Sequence, residues 1–295
     1  MEIPKVSICI PTYNQIHLLK KNLDSILMQE YHDYEIIITD DSSDDIVKDF
    51  IASYPPAFKA KMKYYKNNMQ LGSPENWNEA IRKSSGKYIK IMHHDDWFNY
   101  SCSLQIFVDL LDNDVEASMG FVSSRIVNSD NFETTRINTP DSSRIEHIEK
   151  TPEILLYGNW LGPPSSMIFR KLEFDQYYDP NLKWFVDIDA YVYLLSKKSK
   201  LAFNPIEAVS IGSSAIQVTK QCEHNKTVNL FEFFYFLEKW GISDITENEL
   251  ILKKACVLLI DFDVKSRTEI RLAGFKGKLP KNLTSLIKYV NSLDD

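Results

Sequence analysis

Glycine is scarce in this chain. There are nine in 295 residues, and no two are separated by a single residue. That removes the G-x-G-x-x-G turn of dinucleotide-binding folds, and no G-x-x-x-x-G-K-[ST] run is present either. Cysteine is also sparse. Cys9, Cys102, Cys222 and Cys256 are scattered, with no C-x-x-C pair. Neither a disulfide framework nor a zinc site is implied, and a reducing compartment is expected. A basic excess is missing, because 34 Lys and Arg face 41 Asp and Glu. The net charge of −7 gives no global attraction to nucleic acid. No apolar run is long enough to span a bilayer. The opening "MEIPKVSICIPTYNQ" lacks the basic and apolar regions of a signal peptide. The expectation is a cytoplasmic protein, with peripheral contact at the inner face of the membrane left open.

What is present is ordinary globular material, with 44% hydrophobic and 25% charged residues. The length fits one large domain or a domain with an appendage. Over the first hundred residues strands and helices alternate. "KVSICI", "YEIIITD", "MKYYKN" and "KYIKIM" have strand character. "QIHLLKKNLDSILMQ", "SSDDIVKDFIASY" and "SPENWNEAIRKSSG" have helical spacing. In the last of these, Ser73 is the expected N-cap, Pro74 the first helical residue and Gly86 the stop. This alternation predicts crossovers and a mainly parallel sheet. Runs as apolar as "EIIIT" predict a sheet covered on both faces. After residue 100 the rhythm changes: helix "SLQIFVDLLDN", strand "ASMGFVSSRIV", a polar loop or irregular hairpin over 128–150, helix "DIDAYVYLLSK" and strand "KLAFNPIEAVSIG". Beyond about 221 the pattern is helical.

The stretch "YIKIMHHDDWF" ends a β-prone run in four ionisable side chains. If extended, it points His93 and Asp95 one way and His94 and Asp96 the other. Asp40 and Asp41 end the strand "EIIIT" in the same manner. In a parallel sheet the carboxyl ends of the strands share one edge, so the two acidic pairs are expected at one crevice. One carboxylate there can accept hydrogen bonds from a ribose or base. Another can hold a hard divalent cation that binds phosphates.

Three blocks, "VSICIPTYNQ", "YEIIITDDSSDD" and "NMQLGSPENWNEAIRKSSGKYIKIMHHDD", resemble in order and spacing the blocks of glycosyltransferase family 2. The resemblance runs over residues 4–220. It implies an α/β GT-A fold with a Rossmann-like, mainly parallel sheet flanked by helices, and an inverting transferase using nucleotide-diphospho sugars. On that reading, 1–100 is the nucleotide-sugar-binding half, 101–220 the acceptor half and 221–295 a C-terminal helical region. The resemblance places Pro11, Thr12, Tyr13 and Asn14 at the nucleoside, with Tyr13 against the base. It gives Asp40 a hydrogen bond to the nucleoside, although helix capping also suits an Asp there. It sets Asn78 on a helix facing the nucleotide. Asp95 becomes the ligand of Mn²⁺ or Mg²⁺. His93, where the family usually carries an Asp, is a contact to ribose or to metal-bound water, or a ligand itself. Asp96 orients the donor sugar or steadies the loop, and His94 packs within the fold. In "WFVDIDAYVYLL", Asp187 matches the general base, with Asp189 its alternate. Without the resemblance, both are first-turn acids that complement a helix dipole. "GNWLGPPSS" shapes the sugar pocket, with Trp160 a stacking or a buried residue.

Two departures stand beside these matches. Trp77 occupies a position where relatives often have Arg. "SIGSSAIQVT", with Ser213 and Ser214, lacks a late His that many relatives carry; His224 falls outside the motif. In the tail, Lys265, Arg267, Arg271, Lys276, Lys278 and Lys281 face Glu269 alone. This is a solvated basic surface or a contact for anionic membrane. The expected partners are a nucleotide-diphosphate sugar donor and a glycan or lipid-linked glycan acceptor of cell-surface polysaccharide synthesis, with no nucleic acid. The rival expectation is a non-catalytic relative that binds a nucleotide sugar or a glycan.

Overall fold

The computed structural model describes residues 3–173, 177–214 and 222–293. Four strands make the first part of the sheet: β1 (Val6–Thr12), β2 (Tyr34–Asp40), β3 (Met62–Lys66) and β4 (Tyr88–Ile91). They lie in the order β3-β2-β1-β4 and all pair in parallel. The first three are each followed by a helix or helices, as the alternation predicts: α1 (Ile16–Leu27), α2 (Ile46–Ala52) with α3 (Pro56–Lys59), and α4 (Glu75–Lys83). The second part is mixed. It comprises β5 (Trp97–Phe98), β6 (Ala117–Asn128), β7 (Thr134–Asn138), β8 (Met167–Arg170) and β9 (Lys200–Ser213). β8 runs antiparallel between β4 and β6, whereas β6 and β9 are parallel. The polar stretch after residue 128 contains β7, which returns on β6 as an irregular hairpin.

α1 and α5 (Ser103–Asp112) bury Leu19, Leu23, Leu104 and Phe107 against one face of the sheet. α4 and α7 (Val186–Lys197) cover the other. Both faces are therefore apolar, which is why β1 and β2 are buried at every position. Between β7 and β8 stand α6 (Ile145–Lys150) and three 3-10 turns. The tail forms α8 (Lys226–Lys239), α9 (Glu249–Asp261), α10 (Arg267–Leu272) and α11 (Leu283–Asn291). It shares a core with the sheet, since one buried cluster runs from Cys9 and Ile37 through Phe233 to Val290. The six basic residues of 265–281 are all exposed.

Two local expectations are corrected. Helix α4 begins at Glu75, with Pro74 rather than Ser73 in the capping position. Gly86 does not stop the helix, which ends at Lys83. It is a point of close approach instead: a Cβ there would lie 2.6 Å from the Ser7 backbone nitrogen. No helix among the described residues is long and apolar enough to cross a membrane.

Candidate active site

The register sets Thr12 beside Asp40 and Asp40 beside Lys66, so the ends of three strands form one edge. The loop after β1 folds back through Asn14 and Gln15, both left-handed with φ 56° and 50°. The Asn14 N–H then donates to Ser42 Oγ at 2.8 Å. A cavity of about 310 Å³ opens at this edge, lined by Tyr13, Asp41, Ser42, Lys66 and Asn67 among others. Tyr13 is 45% exposed there, while Pro11 and Thr12 are buried in β1.

The two adjacent acids divide the work. Asp40 is fully buried and does not line the cavity. Its carboxylate accepts from the Ser42 N–H at 2.8 Å and Tyr64 Oη at 2.7 Å, with Lys66 Nζ at 3.4 Å. Asp41 does line the cavity, and it holds the loop that follows β3. It accepts from Asn67 Nδ2 at 2.7 Å and from the Leu71 and Gly72 N–H groups at 3.1 and 2.8 Å. Asn78 is likewise committed. Its Oδ1 accepts from the Tyr177 and Tyr178 N–H groups, and its Nδ2 donates to Tyr178 O at 2.7 Å. The expectation that Asn78 faces the nucleotide is thus corrected, because its amide is taken up by residues 177–178 and by Glu75. Trp77 takes the neighbouring direction. Its ring lies 4.5 Å from the His93 ring and 5.1 Å, edge-on, from Tyr178.

"HHDD" is a tight turn rather than the extended chain expected. The Asp96 N–H donates to His93 O at 3.0 Å, closing the turn. Asn22 of α1 braces it from behind, donating to His93 O and Asp96 O. His93 therefore faces Asp96, with Nδ1 3.8 Å from Oδ2, instead of sharing a side with Asp95 alone. Burial pushes the imidazole down to about 4, against the pull of Asp95. Asp96 is buried. Burial, then the charge of Asp95, holds it well above the usual carboxylate range. It accepts from the Gly212 N–H at 2.9 Å and from the Ser165 hydroxyl, which places it in the support of the turn. Gly212 is required there, since a Cβ would meet Asp95 O at 2.4 Å.

Sequence reasoning passed over Lys90, a lone lysine within an apolar strand, which was its only signal. It is fully buried and donates to Ile91 O at 3.0 Å and to Ser165 O. Burial pushes its amine down to about 7, while Asp96 acts the other way.

One loop joins this turn to the far side of the crevice. Ser165 Oγ accepts from the His93 N–H at 3.0 Å. In the same loop, Asn159 Nδ2 donates to Asp187 Oδ2 at 2.8 Å and to Gly162 O at 2.9 Å. Asp187 opens α7, and its Oδ1 accepts from the Ile188 N–H at 3.0 Å. Burial raises its carboxyl to about 6, offset by these bonds and reinforced by the charge of Glu232. The buried Tyr178 hydroxyl is raised by desolvation and then by Asp187, so the rings of His93, Trp77 and Tyr178 lead from the turn toward Asp187.

Asp189 does not join Asp187. Its carboxylate binds Lys239 Nζ at 2.7 Å and Trp240 Nε1 at 2.9 Å, which corrects its reading as an alternate base or acceptor contact. Trp160 is half-buried, with the Arg144 guanidinium 4.2 Å over its ring. His94 packs in the turn, half-buried. Ser213 and Ser214 end β9, residues 215–219 of "SIGSSAIQVT" lie outside the described residues, and His224 is exposed.

No group of three or more His, Cys, Asp or Glu gathers as a metal cage among the described residues. A reduced site fits better. His93 Nε2 and His94 Nε2 are buried without hydrogen-bond partners, and Asp95 sits between the two histidines and Asp96 in the turn. Asp95 and the His93 nitrogen suit a divalent cation whose remaining ligands come from a diphosphate.

A family model described as "Glycosyl transferase family 2" matches residues 7–173. A Campylobacter jejuni protein named GalNAc(5)-diNAcBac-PP-undecaprenol beta-1,3-glucosyltransferase is 34% identical over 95 residues. That stretch is 32% of this chain and 30% of the relative. The fold is similar to S. aureus TarS 1-349 in complex with UDP-GlcNAc, with a TM-score of 0.59 and 15% identity, over 98% of this chain and 88% of that one. It is also similar to the mannosyltransferase PcManGT of Pyrobaculum calidifontis in complex with GDP-Man and Mn²⁺. There the TM-score is 0.57 and the identity 16%, over 100% of this chain and 87% of that one.

Proposed function

The chain belongs to glycosyltransferase family 2, and on that premise we propose that it is an inverting transferase. In this reading it moves a sugar from a nucleotide-diphosphate donor to a carbohydrate acceptor, one carried on a lipid diphosphate in cell-surface glycan synthesis. The observation that carries the reading is the single loop that binds the "HHDD" turn through Ser165 and Asp187 through Asn159. A donor-binding turn and a proton acceptor are thereby fixed to one another across a crevice.

The chemistry follows from those positions. The nucleoside occupies the cavity at Tyr13 and Asp41, which has the size of a small ligand pocket, roughly 300 Å³ and upward. The diphosphate lies toward the turn, where Asp95 and His93 would hold Mn²⁺ or Mg²⁺. Such a cation, when bound, neutralises charge on the departing diphosphate. The acceptor hydroxyl attacks C1 from the opposite side. Its proton passes to Asp187 as the new C1–O bond forms and the bond from C1 to the phosphate oxygen breaks. With its carboxyl raised to about 6, Asp187 is ionised at neutral pH yet basic enough to take that proton. The lipid-linked acceptor rests on the Campylobacter relative's name, and the exposed basic residues of 265–281 offer contact with anionic headgroups.

Calorimetry with a panel of nucleotide-diphospho sugars, with and without Mn²⁺, tests donor binding. NMR of the product then reads the anomeric configuration. Inversion is expected; retention, or no binding by any nucleotide sugar, contradicts the reading. The His at the first position of the metal motif favours one other reading, a binding protein without turnover. Tight donor binding with no transfer to any acceptor would support it.

A further inference from the structure

Helix α7 carries the proposed base and opens with that residue's own Oδ1 meeting the Ile188 N–H in the first turn. Its N-cap is Phe185, with no side-chain hydrogen bond of its own. A helix start leaves four N–H groups without partners, so a buried one needs an outside acceptor. Glu232, in the middle of α8, meets the N–H of the N-cap residue and the two N–H groups before it. This carboxylate is 2% exposed. It accepts from the N–H groups of Lys183 at 2.7 Å and of Trp184 and Phe185 at 2.9 Å each. Three charge-assisted bonds to backbone offset part of the cost of burying the charge, although burial still holds the carboxyl above the usual carboxylate range. A negative group at a helix N-terminus is also favourable in itself. The same helix makes a second tie one turn further on. Lys239 bonds Asp179 and Asp189, and Tyr235 Oη bonds Asp179 at 2.8 Å.

From the other side, Asn159 uses its whole amide. Its Oδ1 accepts from the Leu161 and Gly162 N–H groups while its Nδ2 bonds Asp187 and Gly162 O. Tyr191 Oη also donates to Gly162 O at 3.0 Å, so the loop is anchored to α7 at two points.

We propose that Glu232 of the C-terminal helix and Asn159 of the pocket loop are positioning residues for Asp187, acting on it from opposite sides and with opposite electrostatic sign. The proposal rests on the reading of Asp187 as the base. Glu232 places negative charge behind the start of α7 and so disfavours the ionised carboxylate. Asn159 donates a hydrogen bond to it and so favours that form. The other titratable groups around Asp187 are Tyr178 in the preceding loop and Tyr191 on α7 itself. Lys183 lies beside Glu232, and Lys254 of α9 sits 5.7 Å over the Phe185 ring. The Asp179–Lys239–Asp189 group lies further round the helix. None of these forms a hydrogen bond with the Asp187 carboxylate among the described residues. The tail, which carries no family motif, thus reaches the chemistry through one buried carboxylate.

The test needs no substrate. The carbon resonance of the Asp187 carboxyl in protein labelled at aspartate, assigned by its loss in Asp187→Asn, is followed against pH. Glu232→Gln is expected to lower the midpoint, and Asn159→Ala to raise it, by about half a pH unit or more each. Glu232→Asp, which keeps the charge, is expected to stay nearer the wild type than Glu232→Gln. Should Glu232→Gln not fold, the upward shift in Asn159→Ala still decides. Midpoints that do not move, or that move in the same direction, overturn the proposal. A normal turnover in Asp187→Asn would instead sink the reading of the base, so the two failures are distinguishable.

Discussion

On the proposed reading the site has a donor bank and an acceptor bank, and the two are built in different ways. The donor bank is made of strand ends in a parallel sheet. Its acids are held at the sheet edge by loops and by neighbouring strands: Asp40 by Ser42 and Tyr64, Asp41 by Leu71 and Gly72, Asp96 by Gly212. The acceptor bank is one helix, α7, whose start is capped by a helix from the last quarter of the chain. The first bank needs β1 to β4 in register, the Asn22 brace from α1, the Ser165 bonds and a glycine on β9. The second depends on the packing of the tail. It follows that the tail can alter how the base is set while leaving the nucleotide cavity intact.

Removing the clamp at the acceptor bank has the largest expected effect on the fold. Lys239→Met leaves Asp179 and Asp189 buried without their cation. Breaking such a pair costs about 2–4 kcal/mol, toward the lower end because Lys239 is 30% exposed. If the banks are separable, nucleotide affinity should be unchanged at a temperature where the variant is folded. A parallel loss of nucleotide binding in calorimetry would break the comparison.

Gly212→Ala strikes the donor bank instead. The added Cβ meets the Asp95 carbonyl, and neither strand nor turn can yield cheaply. Overpacking of this kind costs about 1–3 kcal/mol. Here nucleotide affinity should fall, while the Asp187 titration stays in place. Wild-type affinity for the nucleotide would show that the turn is looser than described.

Lys90 gives a smaller effect, read through pH. Its folded-state pKa, about 7, lies below that of an unfolded lysine. Between about pH 7 and 10 the unfolded chain therefore binds the extra proton, and stability rises with pH. Wild type should gain up to about 2 kcal/mol between pH 7 and 9 relative to Lys90→Met, compared by urea unfolding. Equal slopes for the two proteins would mean that the amine is solvated.

What could be read from the sequence follows the same division. The strand–helix alternation, the acidic strand ends and the place of Asp187 in a first turn all rest on neighbours in the chain, and they were legible. The errors at the donor bank are matters of a single residue. Asp41 rather than Asp40 lines the cavity because Tyr64 and Lys66, on the paired strand, take up Asp40. Asn78 turns from the nucleotide because it meets Tyr177 and Tyr178, about a hundred residues on. An unperturbed imidazole titrates near 6.5 and would dim activity between about pH 7 and 6. Packed against Trp77 in a closed turn, His93 is held near 4, and no such loss is expected. Asn159 lies within the "GNWLGPPSS" stretch singled out in the sequence, but its bond to Asp187, like the whole role of Glu232, is not legible there. Each looks ordinary in its own segment, and only the tertiary fold brings them to Asp187.

Turnover of Asp187→Asn at saturating donor, measured together with donor affinity, tests the central claim most directly. The amide keeps the shape of the carboxylate and removes its capacity to accept a proton. Donor affinity is expected to stay within about twofold, while turnover falls by about two to four orders of magnitude, the usual worth of a general base. A variant that retains most of its turnover would contradict the account.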